Sequence, residues 1–132
     1  MNVLILGDGA DELAWAKAVA AHPDHTLWAA YPGFPELANL RNSAMDLDDA
    51  LAIGGVDAAV VGGEFAFRAE ALRRVASTGL PLICLHPPGV NADPYYQVAL
   101  SDAETGAIVI PDLPLRFHPG FLALQKAFHS AS

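Results

Sequence analysis

Three groups of residues in this 132-residue chain have types and spacings suited to chemistry. The first is Gly7-Asp8-Gly9-Ala10, directly after the apolar run Val3–Leu6. Two glycines at a strand-to-helix turn let a ligand approach the backbone and aim a helix N-terminus at an anion. That arrangement holds the pyrophosphate of a dinucleotide. The usual spacing asks for a further glycine three residues on, and Glu12 stands there instead. The second group is Cys84 and His86, two apart and so able to share one face of a strand. Their types allow a nucleophile and its base or a buried structural thiol. The third is Arg116 and His118 beside Pro119, which suit contact with an anionic substrate or a solvated loop. His86, His118 and His129 lack the close spacing of metal ligands, so no metal is expected.

Elements around these residues must bring them to one end of a sheet. Asn2–Leu6, Thr26–Tyr31, Ala58–Val61, Leu82–Leu85 and Ala107–Ile110 read as short strands, most of them continuous apolar runs. Asp11–Ala21, Asp46–Ile53, Phe65–Ser77, Tyr95–Asp102 and Gly120–His129 read as helices, with a shorter one over Glu36–Arg41. Ser43 or Asp46 caps the second of the longer helices. In the first, Leu13, Ala14, Ala18 and Ala21 are expected to face the sheet. In the third, Phe65, Ala69, Leu72 and Ala76 do so, with Arg68, Arg73 and Arg74 toward solvent. The alternation predicts one domain over residues 1–132. Its fold class is α/β, a three-layer doubly wound, mostly parallel sheet with helices on both faces.

Ligands of such sheets lie beyond the carboxyl ends of the strands, where strand order reverses. That rule selects Gly7, Asp8, Gly9, Ala10, Tyr31, Gly62 and Gly63 as cofactor-binding residues. Arg116 and His118 are the candidate substrate-binding pair. Asp8, Asp11 and Glu12 crowd the first turn with acids, where they can themselves meet the helix dipole. The end of the second strand, Tyr31-Pro32-Gly33, carries no acid for ribose hydroxyls, and Glu36 is the nearest.

Charge narrows the partners. Seven Lys and Arg against 15 Asp and Glu give a net charge of −8, which argues against nucleic acid. No apolar run reaches the roughly 18 residues of a membrane span, and the N-terminus lacks the basic start of a signal peptide. The single Cys84 rules out an internal disulfide and suits a cytoplasmic protein. A small molecule or nucleotide is the expected partner, and a bare sheet edge offers a surface for a homo-oligomer.

Three later stretches carry a family resemblance. Val56-Asp57-Ala58-Ala59-Val60-Val61 resembles the strand before a Thr-Pro-Asn loop. Gly79-Leu80-Pro81-Leu82-Ile83-Cys84-Leu85-His86-Pro87 resembles a strand ending in Glu-Lys-Pro. Leu115-Arg116-Phe117-His118-Pro119 resembles an Arg-Phe-x-Pro segment. With this spacing the chain resembles the N-terminal half of the glucose–fructose oxidoreductase / inositol dehydrogenase family. The resemblance implies a Rossmann domain with NAD or NADP over Gly7–Gly9, and Gly62 and Gly63 near the nicotinamide. His86 would stand in the place of the family's catalytic lysine. Gly63-Glu64-Phe65 replaces Thr-Pro-Asn, and Leu85-His86-Pro87 replaces Glu-Lys-Pro. The family's second domain, which forms the substrate wall, lies outside the chain, so hydride transfer is not expected of this chain alone.

A second resemblance lies at the N-terminus. Gly7-Asp8-Gly9-Ala10-Asp11-Glu12-Leu13-Ala14 and Tyr31-Pro32-Gly33-Phe34-Pro35 resemble the opening domain of phosphoribosylamine–glycine ligase. That implies a domain preceding an ATP-grasp unit. The expected function is an NAD(P)-binding-type domain of an oxidoreductase. The alternatives are a non-catalytic small-ligand or assembly module and the ligase-type domain.

Overall fold

A computed structural model describes residues 1–35, 37, 42–85, 94 and 109–112. Its elements are β1 (Asn2–Leu6), α1 (Ala10–Ala21), β2 (Thr26–Tyr31), β3 (Asn42–Ser43), α2 (Leu47–Ala52), β4 (Ala58–Val61), α3 (Phe65–Ser77), β5 (Leu82–Leu85) and β6 (Val109–Asp112). The strands form one six-stranded sheet in the order β3-β2-β1-β4-β5-β6, and every neighbouring pair is parallel. This is the doubly wound order, and its topological switch lies at β1.

The strand residues alternate between two cores. Leu4 and Leu6 of β1 pack with Ala59, Val61, Leu82 and Cys84 against Ala50 of α2 and Leu72 of α3. Val3 and Ile5 pack with Val60 and Ile83 against Trp15 and Val19 of α1. Helices therefore cover both faces, which is why Ala58–Val61 and Leu82–Leu85 are buried along their whole length. Among the described residues no helix is long and apolar enough to cross a membrane.

Register sets the site. Leu6 pairs with both Tyr31 and Val61, so β1, β2 and β4 end at one level. The ladder runs one step further on each side. The Gly7 N–H donates to the Tyr31 carbonyl at 2.8 Å, and the Gly62 N–H donates to the Leu6 carbonyl at 2.7 Å.

Several expectations change. The buried face of α1 is Glu12, Trp15, Ala16 and Val19, while Ala14 and Ala21 are exposed. The large indole of Trp15 has more apolar surface to bury than the alanines, and it sets the face. In α3 the buried residues are Ala71, Leu72, Val75 and Ala76. Phe65 is 44% exposed, and Arg68 is half-buried rather than solvent-facing. β6 runs to Asp112 and includes Pro111, opposite Cys84. The proline is tolerated because β6 is the outermost strand of the described sheet. The two-residue strand β3 was not expected; it pairs with Ala29 and Ala30. The helices expected at Tyr95–Asp102 and Gly120–His129, and most of that at Glu36–Arg41, fall outside the described residues.

Asp46 is the cap of α2: its Oδ1 accepts the Asp49 N–H at 2.8 Å. Asp46→Ala is expected to lower stability by about 1 kcal/mol, read as a lower urea midpoint with an unchanged slope. Arg74 pairs with Asp48 across α3 and α2, and Arg73 pairs with Glu70 at 2.6 Å. Both lie on the surface, where such pairs contribute little.

Candidate functional site

The level ends of β1, β2 and β4 leave a cleft of about 220 Å³ at the switch point. Gly7 and Asp8 line it after β1, Tyr31 at the end of β2 with Pro32 following, and Gly63 and Glu64 after β4, with Phe67 of α3 alongside. The rings of Tyr31 and Phe67 lie 6.1 Å apart and tilted, so the cleft has an aromatic wall. The Tyr31–Pro32 peptide is cis. Gly7 has φ +116°, a conformation that disfavours any side chain.

Glu12 joins the two glycine turns. It is the third residue of α1, and its side chain turns back so that Oε2 accepts the Gly9 N–H at 3.0 Å. This is one half of a capping box, since Gly9 has no side chain to return the bond. The same oxygen accepts the Gly63 N–H at 3.0 Å, from the loop after β4. Glu12 is only 4% exposed, the one buried charged residue among those described.

The glycines make the room for it. A Cβ on Gly62 would lie 2.7 Å from both Cγ and Cδ of Glu12. In a standard fingerprint the third glycine sits on the helix and lets helix and strand close up. Here the bulk is on the helix side, and Gly62 supplies the missing volume from the strand side.

Charge in the cleft is acidic. Asp8 and Glu64 are exposed on its rim, and no Lys or Arg is among the described lining residues. Arg68, one turn into α3, donates from Nη2 to the Gly63 carbonyl at 2.9 Å and from Nη1 to the Leu85 carbonyl at 3.5 Å. Its guanidinium carbon also lies 5.5 Å from the Phe65 ring centroid. Arg68 thus ties the loop after β4 to the end of β5. Arg68→Met is expected to raise amide exchange at Gly63 and Leu85 with little change at β1, checked by hydrogen–deuterium exchange.

The structure brings together Gly7, Asp8, Tyr31 and Gly63 of the expected residues. Gly9 caps α1, Ala10 opens it, and Gly62 faces Glu12 beside the cleft. Pro32 and Glu64 join the cleft from the same strand-end turns, and Phe67 and Arg68 of α3 were not anticipated. Cys84 is fully buried in the core on the α2 and α3 side. His86, Arg116 and His118 lie outside the described residues, so the Cys84–His86 pairing has no geometry to report. Among the described residues no three His, Cys, Asp or Glu side chains gather as a metal would require.

No family model matches the chain, and no curated protein matches it in sequence. Solved structures match it in fold. Myo-inositol 2-dehydrogenase from Lactobacillus plantarum superposes with a TM-score of 0.73 at 17% identity, covering 98% of this chain and 41% of that one. Scyllo-inositol dehydrogenase from Lactobacillus casei gives 0.74 at 17% identity, covering 96% and 40%. An NAD-binding protein from Listeria innocua gives 0.70 at 14% identity, covering 99% and 40%. The chain therefore spans about two fifths of the length of these proteins. The likeness establishes the Rossmann-like α/β fold, and the sequence resemblance to inositol dehydrogenases is matched at that level.

Proposed function

We propose that the chain is the nucleotide-binding-type domain of an oxidoreductase, with the cleft at the β1–β4 switch as its ligand site. The observation that carries this reading is the shared level of the three strand ends. It places Gly7, Asp8, Tyr31 and Gly63 around one cleft at the position where doubly wound domains take a nucleotide. The fold of the dehydrogenases above supports it.

On this reading NAD or NADP is the cofactor class. Gly7, Asp8, Gly9 and Ala10 lie along the phosphates, Tyr31 beside the ribose, and Gly62 and Gly63 on the nicotinamide side. His86 is the proton-handling residue, and Arg116 and His118 are the residues for a small-molecule substrate. The diphosphate fits poorly among the residues present. The Gly9 N–H is already bonded to Glu12, and among the described lining residues the cleft has acids and no cation. Hydride transfer is therefore not assigned to this chain by itself. The protein is read as cytoplasmic, because its single cysteine is buried as a thiol. A homo-oligomer through a sheet edge completes the reading, and nucleic acid and membrane are not its partners.

Titration with NADH and NADPH, followed by energy transfer from Trp15 and Trp28, tests the proposal. Weak but saturable transfer is the expected result. No transfer at millimolar cofactor would leave the second reading, a small-ligand module without chemistry. The acids at the phosphate position favour that second reading.

A further inference from the structure

We infer that Glu12 is the specificity-determining residue of the cleft: its carboxylate holds the anion position of the first glycine turn, so the site selects against ligands that carry a diphosphate there. The inference rests on the cleft being the nucleotide-type site proposed above.

Three observations carry it. The first is bonding. In a dinucleotide site the backbone donors at the helix start meet a phosphate oxygen. Here the Gly9 N–H meets Oε2 of Glu12 at 3.0 Å, and the Gly63 N–H meets the same oxygen at 3.0 Å. A carboxylate held by two backbone donors at a helix N-terminus is a charge-assisted arrangement, and an incoming phosphate would have to displace it.

The second is shape. A Cβ on Gly7 would stand 2.7 Å from Oε2, one on Gly9 3.0 Å from it, and one on Gly62 2.7 Å from Cδ. The side chain thus fills the space beside Gly9 in the first turn and Gly62 in the loop after β4, while a Cβ on Gly7 would meet the Gly63 backbone nitrogen first. The third is charge. Asp8 and Glu64 add acids at the rim, and among the described lining residues no Lys or Arg offsets them. The remaining chemistry is backbone, carboxylate and the Tyr31–Phe67 wall. It suits a nucleoside-sized ligand that is neutral, with hydroxyl or amine donors for the acids.

The repulsion sets the expected size. Once displaced to about 7 Å from a phosphate charge, the carboxylate still weakens binding on the order of 10- to 50-fold at an effective dielectric near 20. Glu12→Gln keeps an acceptor for both N–H groups and removes the charge. Glu12→Gly restores the third glycine and opens the space.

The test has two arms. In the first, NADH is titrated into the unaltered chain, E12Q and E12G, each shown to be folded by its thermal transition. Tighter NADH binding by tenfold or more in a folded variant is the expected result. NADH binding that is equal in all three overturns the inference and leaves the proposed function standing. No NADH binding by any of them overturns the proposed function, and the inference with it. The second arm uses only the unaltered chain, so it does not depend on either variant folding. Adenosine and ADP are compared by calorimetry. ADP no tighter than adenosine is expected. ADP tighter by tenfold would show an ordinary phosphate grip and overturn the inference, and no binding of either overturns the proposed function.

Discussion

Gly62→Ala is expected to destabilise the protein by about 2 kcal/mol, the usual penalty for forcing a methyl group into a filled core. Its Cβ would stand 2.7 Å from Cγ and Cδ of Glu12 and 2.9 Å from Cδ1 of Leu85. The backbone there is not strained, since Gly62 is absent from the residues with positive φ. The penalty is therefore a matter of neighbours, and the main neighbour can be removed. Glu12→Gly alone also destabilises, because it takes away the acceptor of two N–H groups and puts glycine in a helix. Together, however, the two changes should cost at least about 1 kcal/mol less than their sum. Urea denaturation of the four proteins in the cycle measures this. Simple additivity would mean that Glu12 and Gly62 do not share one space.

Trp15→Ala is expected to have the larger effect on stability, about 3–5 kcal/mol. Trp15 heads the fully buried side chains of the described residues and is 0% exposed. It belongs to the core with Val3, Ile5, Val60 and Ile83, and so seats α1 on the central strands β1 and β4. Against a total stability of roughly 5–15 kcal/mol for a domain, the loss is a large share. It should appear as a marked drop in the urea midpoint, and Trp15→Phe should recover part of it. A midpoint within experimental scatter of the unaltered chain would mean that α1 is held some other way. Trp15 lies one turn beyond Glu12 on the same helix face, so its loss should also loosen the carboxylate from Gly63.

Much of this architecture can be read from the residues alone. Ala58–Val61 and Leu82–Leu85 are four-residue apolar runs between turn residues, and a parallel sheet buried on both faces demands such runs. Phe65–Ser77 shows its bounds through Gly62-Gly63 before it and Gly79 after it. Asp46 is one of the two caps, with Ser43, that the residues offer before an apolar-periodic stretch, and the structure selects it. Where the reading fails, a distant contact decides. The face of α1 was misjudged because a glutamate reads as solvent-facing. Its second partner, the Gly63 N–H, lies 51 positions away and leaves no local trace. The signal that existed was the pairing of an acid at the third-glycine position with two glycines after β4. β3 is two polar residues long, too short for any period to show. Phe67, not Phe65, reaches the cleft, because the direction of α3 over the sheet sets which of them does.

A single atom, Oε2 of Glu12, is shared by the loop after β1 and the loop after β4. A ligand group that claims the Gly9 N–H pulls that oxygen from Gly63 in the same event. Occupancy at one turn and conformation at the other are then thermodynamically linked. Whatever orders the start of α3 changes affinity at β1 by the same factor as binding at β1 changes that order. Two loops that share no covalent neighbour are thereby joined through one carboxylate oxygen.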